Sequence, residues 1–193
     1  MRRGPILVAL VGVLAVGYTV DQVTKMLAVR HLDPADPPTY LGGLLSLKLI
    51  RNPGAAFSMG SGFTEVLSVL AILALLFCAV YLAPRVKKAT HGAVLGLAMA
   101  GIAGNRTDRL LRAPGPLRGH VIDFFAVPRF AIFNVADICL TTAAGLVIVW
   151  SLVEARREAA AERAAKLADE DASTRPMVRS DAADQATTSP SEN

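Results

Sequence analysis

Four long apolar segments alternate along the chain with shorter polar stretches. A helix needs about 20 predominantly apolar residues to cross a lipid bilayer, and each segment approaches or exceeds that length. The pattern predicts membrane-spanning helices over about residues 5–30, 63–84, 90–111 and 130–153. The predicted fold class is therefore an all-α membrane protein with four transmembrane helices.

The first apolar segment also has features of a secretory signal peptide, because Arg2 and Arg3 precede a short apolar run. That run does not end at a small-residue cleavage site. It continues into DQVTKMLAVRHL, which keeps helical periodicity to about His31. We therefore interpret this segment as a spanning helix.

The stretches outside the predicted helices differ in composition. Residues 31–62 contain HLDPADPP, which excludes helix, and then a Gly-rich, partly alternating run that predicts two or three short strands. Residues 112–129 are predicted to form a second irregular loop. The tail, residues 154–193, begins as an Ala-rich helical extension. After about residue 170 it is rich in Ser, Thr, Asp and Pro, a composition typical of disorder.

Basic residues predict the orientation, because cytoplasmic ends of membrane helices carry an excess of Lys and Arg. Nine basic residues lie at the N-terminus, in the turn at 84–91 and at the start of the tail, and five are spread over the two loops. Both termini are therefore expected in the cytoplasm, with 31–62 and 112–129 outside, and the strands become a small extracytoplasmic β element. No continuous basic stripe favours nucleic-acid binding.

Polar residues inside the predicted helices lie at one depth. At about 1.5 Å per residue, Asp21 lies about 24 Å above the cytoplasmic end of its helix, and Asn105 about 22 Å above that of its own. Asn134 and Asp137 lie near the outer end of the fourth helix. Ionisable groups in a membrane cost about 2.5–3.5 kcal/mol each. This shared layer therefore predicts a functional site near the outer face.

Two carboxyl groups held close together cannot both ionise, so one can donate a proton while the other takes one from water. Seven carboxylates precede residue 154. Three lie in a surface turn or at a helix start, and two have a basic neighbour, Lys25 or Arg109. Asp123, in HVIDFF, and Asp137, in FNVADICL, remain as the candidate catalytic pair. The spacing of Asp21 and Lys25 also fits an ion pair that only joins helices.

Composition limits the other chemistries. Hydrophobic residues make up 53% of the chain and charged residues 19%, below the roughly 25% charged residues of soluble domains. Cys78 and Cys139 lie inside apolar segments, and no His/Cys cluster has the spacing of a metal site. We expect neither a metal nor another cofactor.

Five short segments carry a family resemblance: DQVTK at 21–25, RNPGAAFS at 51–58, GNRTDR at 104–109, VIDFF at 121–125 and FNVAD at 133–137. In this order they resemble the lipoprotein signal peptidase (signal peptidase II) family. The resemblance implies an aspartyl protease of the bacterial inner membrane with its active site at the outer leaflet. It would remove the signal peptide from diacylated prolipoproteins on the amino side of the lipid-modified cysteine.

The resemblance also implies residue roles. Asp123 and Asp137 would form the catalytic dyad. The substrate-binding residues would be Asn52, Gly54, Asn105, Arg109 and Asn134, supported by Asp21, Lys25 and Asp108. We expect Asn52 and Arg109 to hold the substrate backbone without proton transfer, so that replacing either leaves the shape of the pH profile unchanged. The expected partners are the prolipoprotein and membrane lipid, and the expected state is a monomer.

Two departures and two alternatives accompany this assignment. The stretch between Arg109 and Asp123 is longer than the family pattern and contains APGP, and the stretch from Asp123 to Asp137 is shorter. The pattern therefore does not define the shape of the outer loop. A small transporter would carry polar residues through the full membrane depth, and a non-catalytic scaffold would survive loss of either aspartate.

Overall fold

The computed structural model describes residues 3–54 and 63–174. The helices are α1 (Gly4–His31), α2 (Phe63–Leu76), α3 (Ala89–Leu111) and α4 (Val135–Thr174), and the strands are β1 (Thr39–Tyr40), β2 (Leu45–Asn52) and β3 (Val121–Ala126). A π-helical segment (Phe77–Leu82) and a 3-10 turn (Ala83–Arg85) continue α2. The described residues divide into two compact units, with the boundary between Val149 and Trp150. The mostly helical architecture with a small sheet agrees with the predicted class.

Three helical segments within the described residues are long and apolar enough to cross a membrane: Gly4–His31, Ser68–Arg85 and Val135–Asp169. The predicted third span, α3, is not among them. Its C-terminal half carries a polar cluster at Asn105, Arg106, Asp108 and Arg109, which lowers its hydropathy. Much of α3 is instead buried against other helices.

Glycines on α3 allow this close packing. A side chain at Gly92 or Gly96 would meet the backbone carbonyl of Ile6 or Leu10 on α1. Gly101 faces the backbone of α4 in the same way. Small residues let membrane helices approach closely, where van der Waals contacts supply the stabilisation that the hydrophobic effect cannot supply in lipid. The polar C-terminal half of α3 is thereby held between α1 and α4.

The sheet lies at the C-terminal ends of α1 and α3, with strand order β1-β2-β3 and both pairs antiparallel. The prediction of two or three strands within 31–62 is confirmed for two, β1 and β2. The prediction that 112–129 is irregular is wrong for Val121–Ala126, which form β3. This strand forms because β2 supplies its backbone partners, and because Ile122 and Phe124 pack in a buried cluster with Ala28 of α1.

Helix α4 begins at Val135, later than the predicted 130. The Asn134 side-chain oxygen accepts a hydrogen bond from the Asp137 backbone N–H, and an Asp137 carboxyl oxygen accepts one from the Asn134 N–H, each at 3.1 Å. This reciprocal cap begins the helix at its polar residues. The preceding Phe133 pairs with Phe125 of β3 and remains extended. At its other end α4 continues to Thr174, beyond the predicted onset of disorder, and residues 175–193 lie outside the described range.

Candidate active site

The two aspartates selected from the sequence meet at one residue, Asn134. Asp123 lies on β3 with 3% of its surface exposed, and Asp137 lies half-buried in the first turn of α4. The Asn134 amide Nδ2 donates to Asp123 Oδ1 at 2.6 Å, and its backbone N–H donates to Asp137 Oδ2 at 3.1 Å. Because the short loop before α4 pairs with β3, the two carboxyl groups are brought to the same place.

Asn105 of α3 completes the link between the carboxyl groups. Its Nδ2 donates to Asp137 Oδ1 at 2.8 Å. Its Oδ1 accepts from Lys25 Nζ at 2.9 Å and from Asn134 Nδ2 at 3.1 Å. The reverse amide orientation would turn N–H groups toward the Lys25 ammonium and an oxygen toward a carboxylate. Lys25 therefore fixes the direction in which Asn105 donates.

Lys25 is itself fully buried, with Nζ 2.9 Å from both Asp21 Oδ2 and Asp108 Oδ2. The predicted ion pair of Asp21 and Lys25 is confirmed, and it does more than join helices. Asp21 accepts the backbone N–H of Ala136 at 2.9 Å, and Asp108 accepts that of Ile122 at 3.3 Å. Each of these backbone groups belongs to the residue directly before a catalytic candidate, so one buried cluster positions both.

Asn52, at the end of β2, contacts Asp123 from the side opposite Asn134. Its Nδ2 donates to Asp123 Oδ2 at 2.9 Å, and its Oδ1 accepts the Gly54 backbone N–H at 2.9 Å. Gly54 has φ of 114°, a conformation that favours glycine. The sequence predicts both as substrate-binding residues, but not this contact between Asn52 and the carboxyl group.

The environment of Asp123 suits a proton-holding group. Burial raises the pKa of the Asp123 carboxyl to about 6, from an ordinary value of about 4. The neighbouring Asp137 also raises this pKa, whereas hydrogen bonds from Asn52 and Asn134 and the charge of Lys25 lower it. A carboxyl group tuned toward neutral pH can act as an acid in a reaction where its partner acts as a base.

These groups line an open cleft of about 550 Å³. Its polar wall includes Asn52, Asn105, Arg109, Asp123 and Asp137, and its apolar wall includes Phe130, Ile132, Phe133 and Ile138. The apolar wall could not be predicted from the sequence, because a phenylalanine in a loop can line a cleft or pack in a core with the same sequence pattern. The cleft offers an apolar surface beside a pair of acids, as a peptide substrate in a membrane requires.

Arg109 faces this cleft, whereas its neighbour Asp108 is held by other cations. The ion pairs of Asp108 among the described residues are with Lys25 and Arg112, and the Arg109 Nη1 has no hydrogen-bond partner there. The spacing of Asp108 and Arg112 is i,i+4, a signal that the sequence analysis did not use. Arg109 is thus available to a ligand in the cleft.

Comparison with known proteins identifies the family and the relatives that this chain resembles. The family model for signal peptidase (SPase) II matches residues 13–153, which include all five motifs. The lipoprotein signal peptidase of Leifsonia xyli subsp. xyli is 39% identical over 82% of this chain and 77% of its own length. That of Mycolicibacterium smegmatis is 43% identical over 74% of this chain and 60% of its own length.

Solved structures give the same picture for the fold. A bacterial membrane enzyme is 28% identical with a TM-score of 0.63, over 72% of this chain and 90% of that chain. A second bacterial membrane enzyme is 27% identical with a TM-score of 0.59, over 74% of this chain and 87% of that chain.

Proposed function

The chain belongs to the signal peptidase II family, and from that premise we propose that it removes signal peptides from bacterial prolipoproteins with Asp123 and Asp137 as its catalytic pair. The observation that carries this assignment is the bridge through Asn134, which places both carboxyl groups at one cleft. Membership in a protease family argues against the transporter and scaffold alternatives. The direct test is cleavage of a diacylated prolipoprotein by the purified chain.

The two carboxyl groups take different roles in the proposed mechanism. Asp137 accepts a proton from a water molecule, and the resulting hydroxide adds to the scissile carbonyl carbon. Asp123, whose pKa burial raises to about 6, donates its proton to the carbonyl oxygen. The tetrahedral intermediate then collapses: one of its hydroxyl groups returns a proton to Asp123, and the leaving amine takes up the proton held by Asp137.

The position of the bond that is cut follows from the lipid anchor. We propose that cleavage occurs on the amino side of the diacylglyceryl-modified cysteine, at the outer leaflet of the cytoplasmic membrane. The cleft combines apolar walls with polar groups that can pair with an extended backbone where water is scarce, and an unpaired backbone group there costs about 1–3 kcal/mol.

Asn52→Ala is expected to move the alkaline limb of the pH profile to higher pH. The Asn52 hydrogen bond lowers the pKa of Asp123, so its loss raises that pKa and keeps the proton on Asp123 further into the alkaline range. The sequence alone led us to expect a pH profile of unchanged shape. Because of this contact, we expect a shifted one. We also expect a loss of about 10–100-fold in kcat/KM, at about 1.4 kcal/mol per tenfold.

The pH dependence of kcat/KM for Asn52→Ala measures both effects. The matched control is Arg51→Ala, which changes an exposed side chain on the same strand. If the alkaline limb of Asn52→Ala coincides with that of the wild type, Asn52 does not act on Asp123.

We propose that both termini are cytoplasmic and that the sheet lies outside. A cysteine placed at exposed Ala35 or Pro116 should react with a membrane-impermeant thiol reagent added to intact cells. One placed at Lys88 should react only after the membrane is opened. The background should carry Ala at Cys78 and Cys139, which are both buried. Labelling of the Ala35 and Pro116 positions only from the cytoplasmic side would show that the orientation is inverted.

A further inference from the structure

A second, smaller cleft of about 140 Å³ adjoins the catalytic cleft. Asn105 and Arg109 line both clefts, so a ligand at the aspartates can reach from one into the other. The remaining walls are mostly apolar and include Ala71 and Ala74 of α2 and Leu140 of α4. The exception is Arg106, which the proposed cleavage chemistry does not use.

Arg106 is buried in this cleft with donors that lack partners. It is 4% exposed, its Nη1 donates to the Ser68 carbonyl, and its Nε and Nη2 have no hydrogen-bond partner within residues 3–54 and 63–174. The Arg109 Nη1 is also buried and has no hydrogen-bond partner among these residues. Leaving a buried donor unpaired is costly, and more so for a charged group. The cleft therefore presents several guanidinium N–H groups to an oxygen-bearing ligand.

The covalent structure of the proposed substrate determines which of its oxygen atoms can reach this second cleft. In a diacylated prolipoprotein, a thioether joins the glycerol to the sulfur of the cysteine that follows the scissile bond. The two ester carbonyls are therefore only a short run of covalent bonds away from the bond being cut. Once Asp123 and Asp137 hold that bond, the ester groups must lie in space next to the catalytic cleft.

We propose that Arg106 and Arg109 form an ester-binding subsite for the diacylglyceryl group of the substrate, a proposal that rests on the proposed function. The two residues lie three positions apart on α3, and their guanidinium groups donate to the ester carbonyl oxygens. The cleft has room for the ester groups but not for whole acyl chains. The chains leave along the apolar walls at Ala71, Ala74 and Leu140 toward the surrounding lipid.

The test compares two synthetic lipopeptides that differ only in the lipid linkage, one with ester-linked acyl chains and one with ether-linked alkyl chains of equal length. The ether lacks the carbonyl oxygens. For the full-length wild type we expect a KM about 3- to 10-fold lower for the ester, as one or two hydrogen bonds predict. For Arg106→Leu, KM for the ester should rise most of the way to the value for the ether, because only Arg109 still donates, with kcat and the KM for the ether unchanged.

Controls separate this inference from the proposed function. Arg30→Leu, which changes an exposed arginine on α1, should keep the wild-type preference, and Asp123→Asn should cut neither substrate. If Arg106→Leu fails to fold, Arg106→Lys replaces it and should keep the charge but lose part of the preference. An ester preference as large as that of the wild type in the folded Arg106 variant overturns the subsite while the proposed function stands. Loss of bound anionic lipid from that variant, with the ester preference intact, would assign the cleft to a lipid phosphate instead.

Discussion

Asp123→Asn and Asp137→Asn are each expected to lose cleavage by a factor of about 10²–10⁴, the range for loss of a general acid or base. Asn has the shape of Asp and its amide oxygen still accepts from one of the two neighbouring donors, but it transfers no proton. Both variants should insert and fold, because the buried cluster around Lys25 that positions β3 and α4 stays intact. The rate of lipopeptide cleavage and the thermal unfolding temperature in detergent measure the two parts of this expectation.

The matched control for the dyad variants is Asp36→Asn, which changes an exposed carboxylate in the loop before β1. It should cut at the wild-type rate. Near-normal turnover by purified Asp123→Asn or Asp137→Asn would remove that residue from the mechanism.

Lys25→Met is expected to cause the largest loss of stability. Lys25 is fully buried between Asp21 and Asp108, and its removal leaves Asp21 without a cation partner. Breaking a buried ion pair by deleting one partner costs about 3–5 kcal/mol. The variant should therefore unfold at a much lower temperature or fail to accumulate in the membrane.

Two further variants test whether the effect of Lys25→Met comes from breaking the buried ion pairs. Lys48→Met changes an exposed lysine on β2, and its free energy of unfolding should stay within about 1 kcal/mol of the wild type. Adding Asp21→Asn and Asp108→Asn to Lys25→Met should recover part of the stability but not the activity, because the Asn105 amide is no longer held in one orientation. A Lys25→Met variant as stable as wild type would show that the cluster does not hold the site together.

Helix positions follow closely from the sequence, because the pattern of apolar residues decides them. The predicted helices at 5–30 and 90–111 compare with Gly4–His31 and Ala89–Leu111 in the structure. The strand β3 could not be predicted in the same way, because it forms only where β2 supplies a partner. The start of α4 was also missed, although the spacing of Asn134 and Asp137 carries the signature of a helix cap.

The choice of the two aspartates was accessible from charge alone, since neither has a basic neighbour in sequence. The contacts of the two aspartates could not be predicted in this way. The bond from Asn52 to Asp123 depends on the antiparallel register of β2 and β3, in which Asn52 pairs with Val121. The orientation of Asn105 depends on Lys25, which reaches it from another helix. Interactions of this kind join residues far apart in sequence, and no local pattern records them.

The most direct test of the central claim is product analysis after incubating the purified chain with a diacylated prolipoprotein peptide and with its unlipidated form. We expect two products from the lipidated peptide, with masses that place the cut on the amino side of the modified cysteine. We expect no cleavage of the unlipidated peptide and none by Asp123→Asn. Cleavage at another bond, equal cleavage of both peptides, or normal cleavage by Asp123→Asn would contradict the proposed function.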